Sequence, residues 1–428
     1  MKILITGASG LIGSSICARL VDEGHSVVAV TRPGGIAPFG VTETVRLDVS
    51  AAVDISDWTA LLEGVDAVIN CAGALQQSHR EHVAGVHVAG PAALFQACEQ
   101  LGVKRVIHFS AIGVDREQPT EFSKTKLRGD DVLAARDLTW VILRPSVVLG
   151  FPAFGASALV RGLAALPVLP VMPQTGLLQV VQLDDVVTTV LKMLSPEAPS
   201  RLALELAGPE QLPFHEVVAL FRQWFGWRPA LPVPVPNILA FLLFSLGDFA
   251  GRLGWRPAMR TTARQEILRG ATGDGAAWRA ATGIEPRSLR EALQARQASV
   301  QERWFAKLFF LKPMIFVVLP LFWISTGIIS LTAGYDEGMT LMNRANAGMF
   351  AAPSVIAGAL ADILIGATIA LRRTSRLGLW GAVLLSLFYA AAGTVLLPEL
   401  WNEPLGPLLK IWPILVLHLV ALAILEER

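Results

Sequence analysis

Three glycines, Gly7, Gly10 and Gly13, stand at intervals of three where the apolar run Lys2-Ile3-Leu4-Ile5-Thr6 gives way to helical periodicity at Ile12, Ile16 and Leu20. A strand, a tight turn and a helix start in that order can bind an anion without any reactive side chain. The unpaired N–H groups of the first helical turn, at Leu11, Ile12 and Gly13, together with the positive end of the helix dipole, can hold a pyrophosphate. Glycine permits the sharp turn and the close approach of the phosphate. The same spacing serves a plain tight turn equally well, so the surrounding elements have to decide.

Those elements alternate. Residues 26–30 read as a second strand ending in Thr31-Arg32-Pro33-Gly34-Gly35, and residues 45–49 as a third with Asp48 at its end, placed to meet an adenine ring. Residues 65–69 form a fourth, running into Asn70-Cys71-Ala72-Gly73, followed by a helix over 84–101 and a fifth strand over 105–110. This alternation predicts an α/β fold, a doubly wound parallel sheet of the Rossmann type. The candidate cofactor residues then fall at strand C-terminal ends, where open α/β sheets bind ligands. Arg32 suits the 2′-phosphate of NADP, where an acidic residue would suit the free hydroxyl of NAD. An exposed arginine opening a Pro-Gly loop is the alternative.

Composition divides the chain. Of 428 residues, 53% are hydrophobic and 17% charged, and the mean hydropathy of +0.52 is high for a soluble protein. The apolar excess lies after about residue 308, so a soluble part is followed by a membrane part. A net charge of +1 argues against nucleic acid as a main partner. Cys17, Cys71 and Cys98 lack metal-ligand spacing and fit a reduced compartment.

The ordered set TGASGLIG, NCAG, HFSAIGV, FSKTK, LRPSVVLG and QLDDVV, spread over roughly residues 1–300, resembles the extended and atypical short-chain dehydrogenase/reductase superfamily. It is most similar to the branch that includes the nucleotide-binding accessory subunit of respiratory complex I. The resemblance implies catalysis by a serine, a tyrosine and a lysine four residues after the tyrosine. The tyrosine exchanges a proton with the substrate oxygen, and the lysine lowers its pKa and holds the nicotinamide ribose. Ser110 and Lys126 match, but the tyrosine position is Phe122, and the two tyrosines of the chain, Tyr335 and Tyr389, lie in the membrane part.

His108, Asp115, Glu121 and Lys124 are the nearby titratable groups, each also readable as a strand-core or solvated loop residue. His87 occupies a position where many relatives carry asparagine. By the same resemblance the backbone of Leu143-Arg144-Pro145-Ser146, after the sixth strand, passes near the nicotinamide, and Asp184 and Asp185 cap a helix over 186–194.

The resemblance therefore implies NADP, or NAD, held by Gly7, Gly10, Leu11, Ile12, Gly13, Arg32, Asp48, Ala72, Gly73 and Lys126, with Ser110 and Lys126 as the catalytic pair. An atypical oxidoreductase with an apolar substrate fits. A non-catalytic NADP-binding sensor or scaffold also fits, and a nucleotide-sugar epimerase or dehydratase fits less well because it too needs the tyrosine.

The residues divide into a nucleotide-binding part over 1–303, whose substrate region lies within 151–300, and a membrane part over 304–428. Residues 151–172, rich in Ala, Leu and Pro, suit an apolar ligand, a lid or ordinary packing. The apolar stretch 231–251 is too short to span a bilayer; with Arg252 and Arg256 behind it, it lies in the membrane interface or packs on the domain. Four apolar segments follow, at 308–331, 347–371, 377–397 and 408–425.

Arg303, Lys307, Lys312, Arg372, Arg373 and Arg376 flank one side of these segments, and Asp336, Glu337, Glu399 and Glu403 the other, with Arg344 and Lys410 as minor exceptions there. By the positive-inside rule the soluble domain and both termini are cytoplasmic, at the inner membrane. This tail resembles the DoxX-like family of four-helix membrane modules. Asp362 and His418 fall inside spans, where ionisable groups mark function or bond helix to helix.

Overall fold

The computed structural model describes residues 1–76, 82–172, 174–404 and 406–426. Two compact units emerge, Met1–Phe249 with Pro257–Lys307, and Ala250–Arg256 with the chain from Leu308 onward. The second unit thus recruits a short piece of the chain that precedes the end of the first.

The first unit is built on seven parallel strands: β1 (Lys2–Thr6), β2 (Ser26–Thr31), β3 (Glu43–Arg46), β4 (Ala67–Asn70), β5 (Arg105–Phe109), β6 (Thr139–Pro145) and β7 (Leu202–Leu206), in the spatial order β7-β6-β5-β4-β1-β2-β3. Their near-continuous apolar runs follow from burial on both faces. Because side chains alternate with period two, Ile3, Ile5, Val27 and Ile107 join one core while Leu4, Val28, Val106 and Ile142 join the other. Helices α1 (Leu11–Asp22) and α4 (Leu183–Leu194) cover the first face, α2 (Gly90–Leu101) and α3 (Glu121–Ala134) the second. Each fully buried Ile or Leu of β1 contributes about 1.5–3 kcal/mol relative to an exposed one.

Several local expectations shift. The third strand is Glu43–Arg46, not 45–49, since pairing with β2 ends at Thr31 opposite Arg46. Asp48 lies beyond it, its carboxylate accepting the Ser50 N–H at 3.0 Å and the Ser50 hydroxyl at 2.7 Å in a local turn. The helix expected over 84–101 opens with a π-helical turn, Gly85–Ala89, before α2. A Cβ at Gly90 would stand 1.9 Å from the Val49 carbonyl oxygen, so the missing side chain lets this helix press on the loop after β3. Residues 143–145 belong to β6 rather than following it. Asp184 and Asp185 sit inside the first turn of α4, where they favour the helix dipole, and Gln182 holds the N-cap position without a side-chain bond. The stretch 151–172 contains a helix, Ala156–Ala165, whose residues Ser157 to Ala164 are all buried, which is ordinary packing.

In the second unit, α5 (Leu311–Leu331), α6 (Ala351–Ala370) and α7 (Ser375–Leu396) are long and apolar enough to cross a membrane. The fourth expected span is the apolar helix α8 (Ile411–Ile424), whose 14 residues cover about 21 Å at about 1.5 Å per residue, against about 30 Å of bilayer core. The chain beyond α8 nevertheless reaches the basic end of the bundle. There the Leu425 carbonyl accepts from Arg372 at 3.1 Å, and the Glu426 carbonyl accepts from Lys312 Nζ at 3.2 Å. The chain therefore returns to the basic end where α5 begins and the α6–α7 turn lies.

At the opposite end Arg344 pairs with Glu399 at 3.3 Å and Glu403 at 3.1 Å. Small residues bring α5 and α6 together: a Cβ at Gly327 would stand 2.4 Å from the Ala359 carbonyl oxygen. Asp362 accepts from the Tyr389 hydroxyl at 3.1 Å, and Trp323 Nε1 donates to His418 Nε2 at 2.9 Å, so Asp362 and His418 each bond helix to helix.

Candidate functional site

The order of the strands makes the gap between β1 and β4 a topological switch point, the place where open α/β sheets take ligands. The glycine loop sits there. Gly7 has φ +65°, and a Cβ on it would stand 2.7 Å from the carbonyl carbon and oxygen of Cys71. A Cβ on Gly13 would stand 2.4 Å from the Gly7 carbonyl oxygen. The Gly10 N–H closes the turn onto that same oxygen at 2.9 Å, and Gly10 is the N-cap of α1. Two of the three glycines are therefore required by close backbone approach. The first turn of α1 is left with half-buried Leu11 and Ile12 and with N–H groups that no preceding helical carbonyl can accept.

Arg32 is exposed just past β2, in a turn closed by Gly35 N–H to the Arg32 carbonyl at 2.9 Å. Gly35 lies against Ser9 of the glycine loop, 3.4 Å from an added Cβ to Ser9 Oγ, so this turn adjoins the cofactor candidate. Sequence reasoning missed Arg46. From the end of β3 its guanidinium donates to Thr31 Oγ1 at 2.8 Å and to the Gly35 carbonyl, bracing the turn that carries Arg32. A cation ending the neighbouring strand was the available signal.

Lys126 reaches back from α3 to the end of β5, where Nζ donates to the Phe109 carbonyl at 2.8 Å. It is buried, and burial lowers its pKa to about 8 against the opposing pull of Asp130 and Cys71. Gly73, after β4, lies beside it: an added Cβ would come within 3.3 Å of Nζ and 3.5 Å of His87 Nε2. Ala72 is buried between them and the glycine loop contact at Cys71. Ser110 follows β5 directly. Its hydroxyl is buried and faces the Asp130 carboxyl, whose charged form it helps to stabilise.

His87 is a strut. Its Nε2 accepts the Ala74 N–H at 3.1 Å, and Nδ1 meets Thr125 Oγ1 at 2.8 Å. The Thr125 hydroxyl is itself spent on the Glu121 carbonyl at 2.6 Å, so the ring proton is assigned to Nδ1 and the imidazole is neutral. Burial, with the Lys126 charge, pushes its pKa down to about 2. The ring of Phe122 stands edge-on to it, centroids 5.6 Å apart.

Of the four titratable groups named from the sequence, His108, Asp115, Glu121 and Lys124, each is engaged with another partner in the structure. Asn70 donates to His108 Nδ1 at 3.0 Å, and Asp130 lies 3.5 Å from His108 Nε2 and 3.0 Å from Arg144 Nε. Burial lowers the pKa of His108 despite Asp130. Asp115 pairs with Arg144, while Lys124 and Glu121 pair with each other on the surface at 3.1 Å. The site is braced from a distant part of the chain: Arg269 donates to the Ile112 carbonyl at 3.2 Å and to Glu117 at 3.1 Å, and Glu266 accepts from the α3 cap residue Thr120 at 2.5 Å. Nothing local in the sequence signals these contacts across some 150 residues. Among the described residues no group of three or more metal-ligating side chains forms.

Known proteins agree with this architecture. Residues 7–162 match the family described as NAD(P)H-binding, and residues 320–419 the DoxX-like family. An uncharacterized protein of Mycobacterium tuberculosis is 28% identical over 292 residues, 68% of this chain and 30% of that one, so the chain spans under a third of its length. Ceramide reductase of Caulobacter vibrioides is 23% identical over 238 residues, 55% of this chain and 75% of its own. Sterol demethylase protein B of Methylococcus capsulatus is 25% identical over 334 residues, 71% and 99%. The structure of UDP-glucuronic acid 4-epimerase from Bacillus cereus with UDP-glucuronic acid and NAD superposes at a TM-score of 0.53 and 19% identity, over 72% of this chain and 99% of that one. That likeness is one of fold. The chain carries an NAD(P)-binding domain like that of short-chain dehydrogenase/reductases, joined to a DoxX-like segment.

Proposed function

We propose that the protein is a membrane-bound NADP(H)-dependent oxidoreductase whose substrate is an apolar or membrane-associated carbonyl compound. The observation that carries this reading is that Lys126 Nζ lies beside Gly73 at the end of β4, while the glycine loop, which admits no side chain at Gly7 or Gly13, packs on Cys71 two residues earlier. Gly7, Gly10 and Gly13, with the N–H groups of Leu11 and Ile12, hold the pyrophosphate, and Arg32, braced by Arg46, takes the 2′-phosphate. Lys126 holds the nicotinamide ribose, with Ala72 and Gly73 leaving room for it, and the Asp48 loop borders the adenine. Bound NADPH supplies a hydride. Ser110 turns its hydroxyl to the substrate oxygen, and the proton that Phe122 cannot give comes from a water or from the substrate itself.

Two relatives whose names refer to ceramide and to sterol support a lipid as the substrate class. The segregation of basic residues at the end of the bundle that holds Lys312, Arg372 and the chain after α8 supports a cytoplasmic first unit, with both termini on that side of the inner membrane. The test is NADPH oxidation by the full chain in nanodiscs, with and without a membrane lipid extract. Consumption that depends on the extract and is lost in Lys126→Met supports the proposal.

Phe122 favours a second reading, a domain that binds NADP to sense it or to scaffold a partner. It predicts a thermal shift with NADP and no turnover with any carbonyl compound. A ligand at about 100 times its Kd adds about 2.7 kcal/mol.

A further inference from the structure

We infer that the helix Asn237–Arg252 lies in the plane of the membrane surface, its outer face buried at the boundary between lipid headgroups and acyl chains. The inference rests on the membrane reading of the second unit and not on any catalytic role.

The helix has one buried face and one exposed face. Ala240 and Phe244 are buried, and Gly247 approaches the chain so closely that a Cβ would stand 1.8 Å from the Met259 carbonyl oxygen. On the other side Ile238, Leu242, Leu246 and Phe249, spaced by three or four residues, are 52–73% exposed, with Leu239 and Phe241 flanking them. Four large apolar side chains in one helical stripe are costly to leave in water and mark an interaction surface.

The occupant follows from where this helix ends. Its last turn enters the seven residues Ala250–Arg256 that belong to the second unit. There Trp255 Nε1 donates to the Ala370 carbonyl at 2.8 Å, and the Arg372 N–H donates to Leu253 at 3.1 Å. The Trp255 ring packs on Phe316 with centroids 4.6 Å apart. These contacts lie at the basic end of the bundle, where the apolar helices meet water. A helix with an apolar stripe whose C-terminal end enters the apolar unit and carries Arg252 has the composition of an interfacial helix, its cation suited to lipid phosphates.

The experiment uses the full chain in lipid nanodiscs, labelled with an environment-sensitive fluorophore at Leu242→Cys or Leu246→Cys. Leu101→Cys, an exposed leucine at the end of α2, is the aqueous control, and Val318→Cys in α5 is the membrane control. Labels at 242 and 246 are expected to be quenched severalfold more by headgroup-proximal spin-labelled lipid than the label at 101, and less by iodide. Iodide quenching equal to that at 101 while Val318 remains lipid-quenched overturns the inference. Self-quenching between copies that replaces lipid quenching overturns it also, by assigning the face to a second chain. Loss of lipid quenching at 318 as well would instead mean that the membrane reading had failed.

Discussion

Phe122 stands edge-on to His87, with ring centroids 5.6 Å apart, four residues and one helical turn before Lys126. An aromatic ring is therefore held on the Lys126 face of α3 with nothing at its para position to carry a proton. Phe122→Tyr restores that group. In the full chain with lipid extract, NADPH consumption should rise, by up to the 10²–10⁴-fold that a positioned general acid supplies. An unchanged rate in a variant that still binds NADPH would favour the sensor reading.

Gly13→Ala introduces a methyl group 2.4 Å from the Gly7 carbonyl oxygen, with backbone on both sides and no flexible side chain to give way. The glycine turn must open to admit it. The thermal shift produced by NADPH should vanish, while the helical content by circular dichroism stays near that of the wild type. Retention of the full shift would mean that the nucleotide does not use this loop.

His87 links folding to pH. Its pKa is about 2 in the fold, against 6.5 ordinarily. Between those values the unfolded chain binds a proton that the folded chain refuses, so stability is complete above pH 6.5 and falls as pH drops below it. The slope from this one group is about 1.4 kcal/mol per pH unit. Burial lowers the pKa of His108 as well, so it adds to the same trend. His87→Asn should lower the melting temperature at pH 7, through the lost bonds to Ala74 and Thr125, and lose less of it than wild type between pH 6.5 and 5.

Arg32→Asp exchanges a guanidinium for a carboxylate at the turn beside the glycine loop. NADPH affinity should fall about tenfold or more, and NADH affinity should hold or rise, read by titration calorimetry. Arg46→Ala should give a smaller loss confined to NADPH, because Arg46 braces this turn through Thr31 and Gly35. Equal losses for both nucleotides in Arg32→Asp would remove the basis for preferring NADP.

Most of the sheet is legible in the sequence because its signal is local: β1, β4, β5 and β6 are short apolar runs that end at or just before Gly, Asn or Ser, and the two glycines that pack backbone on backbone are visible as spacing. The third strand is displaced by two residues from its expected place because Val45 to Val49 reads as a strand, whereas Asp48 folds back onto Ser50. Arg269 and Glu266 are invisible in the sequence, since their partners, Glu117 and Thr120, lie some 150 residues earlier in the chain. Four apolar segments mark the membrane part correctly as apolar helices. Composition does not show that α8 is only 14 residues long, because Leu408 and Leu409 are apolar but lie outside it.

The indole N–H of Trp255 finds its acceptor on Ala370, 115 residues later in the chain. At about 5–20 residues per second of synthesis, the ribosome reaches that partner about 6–23 s after Trp255 itself. Through that interval the segment Ala250–Arg256 waits for helices still to be made. A chain cut at residue 307 would keep Trp255 but lack Ala370, the acceptor of its indole N–H.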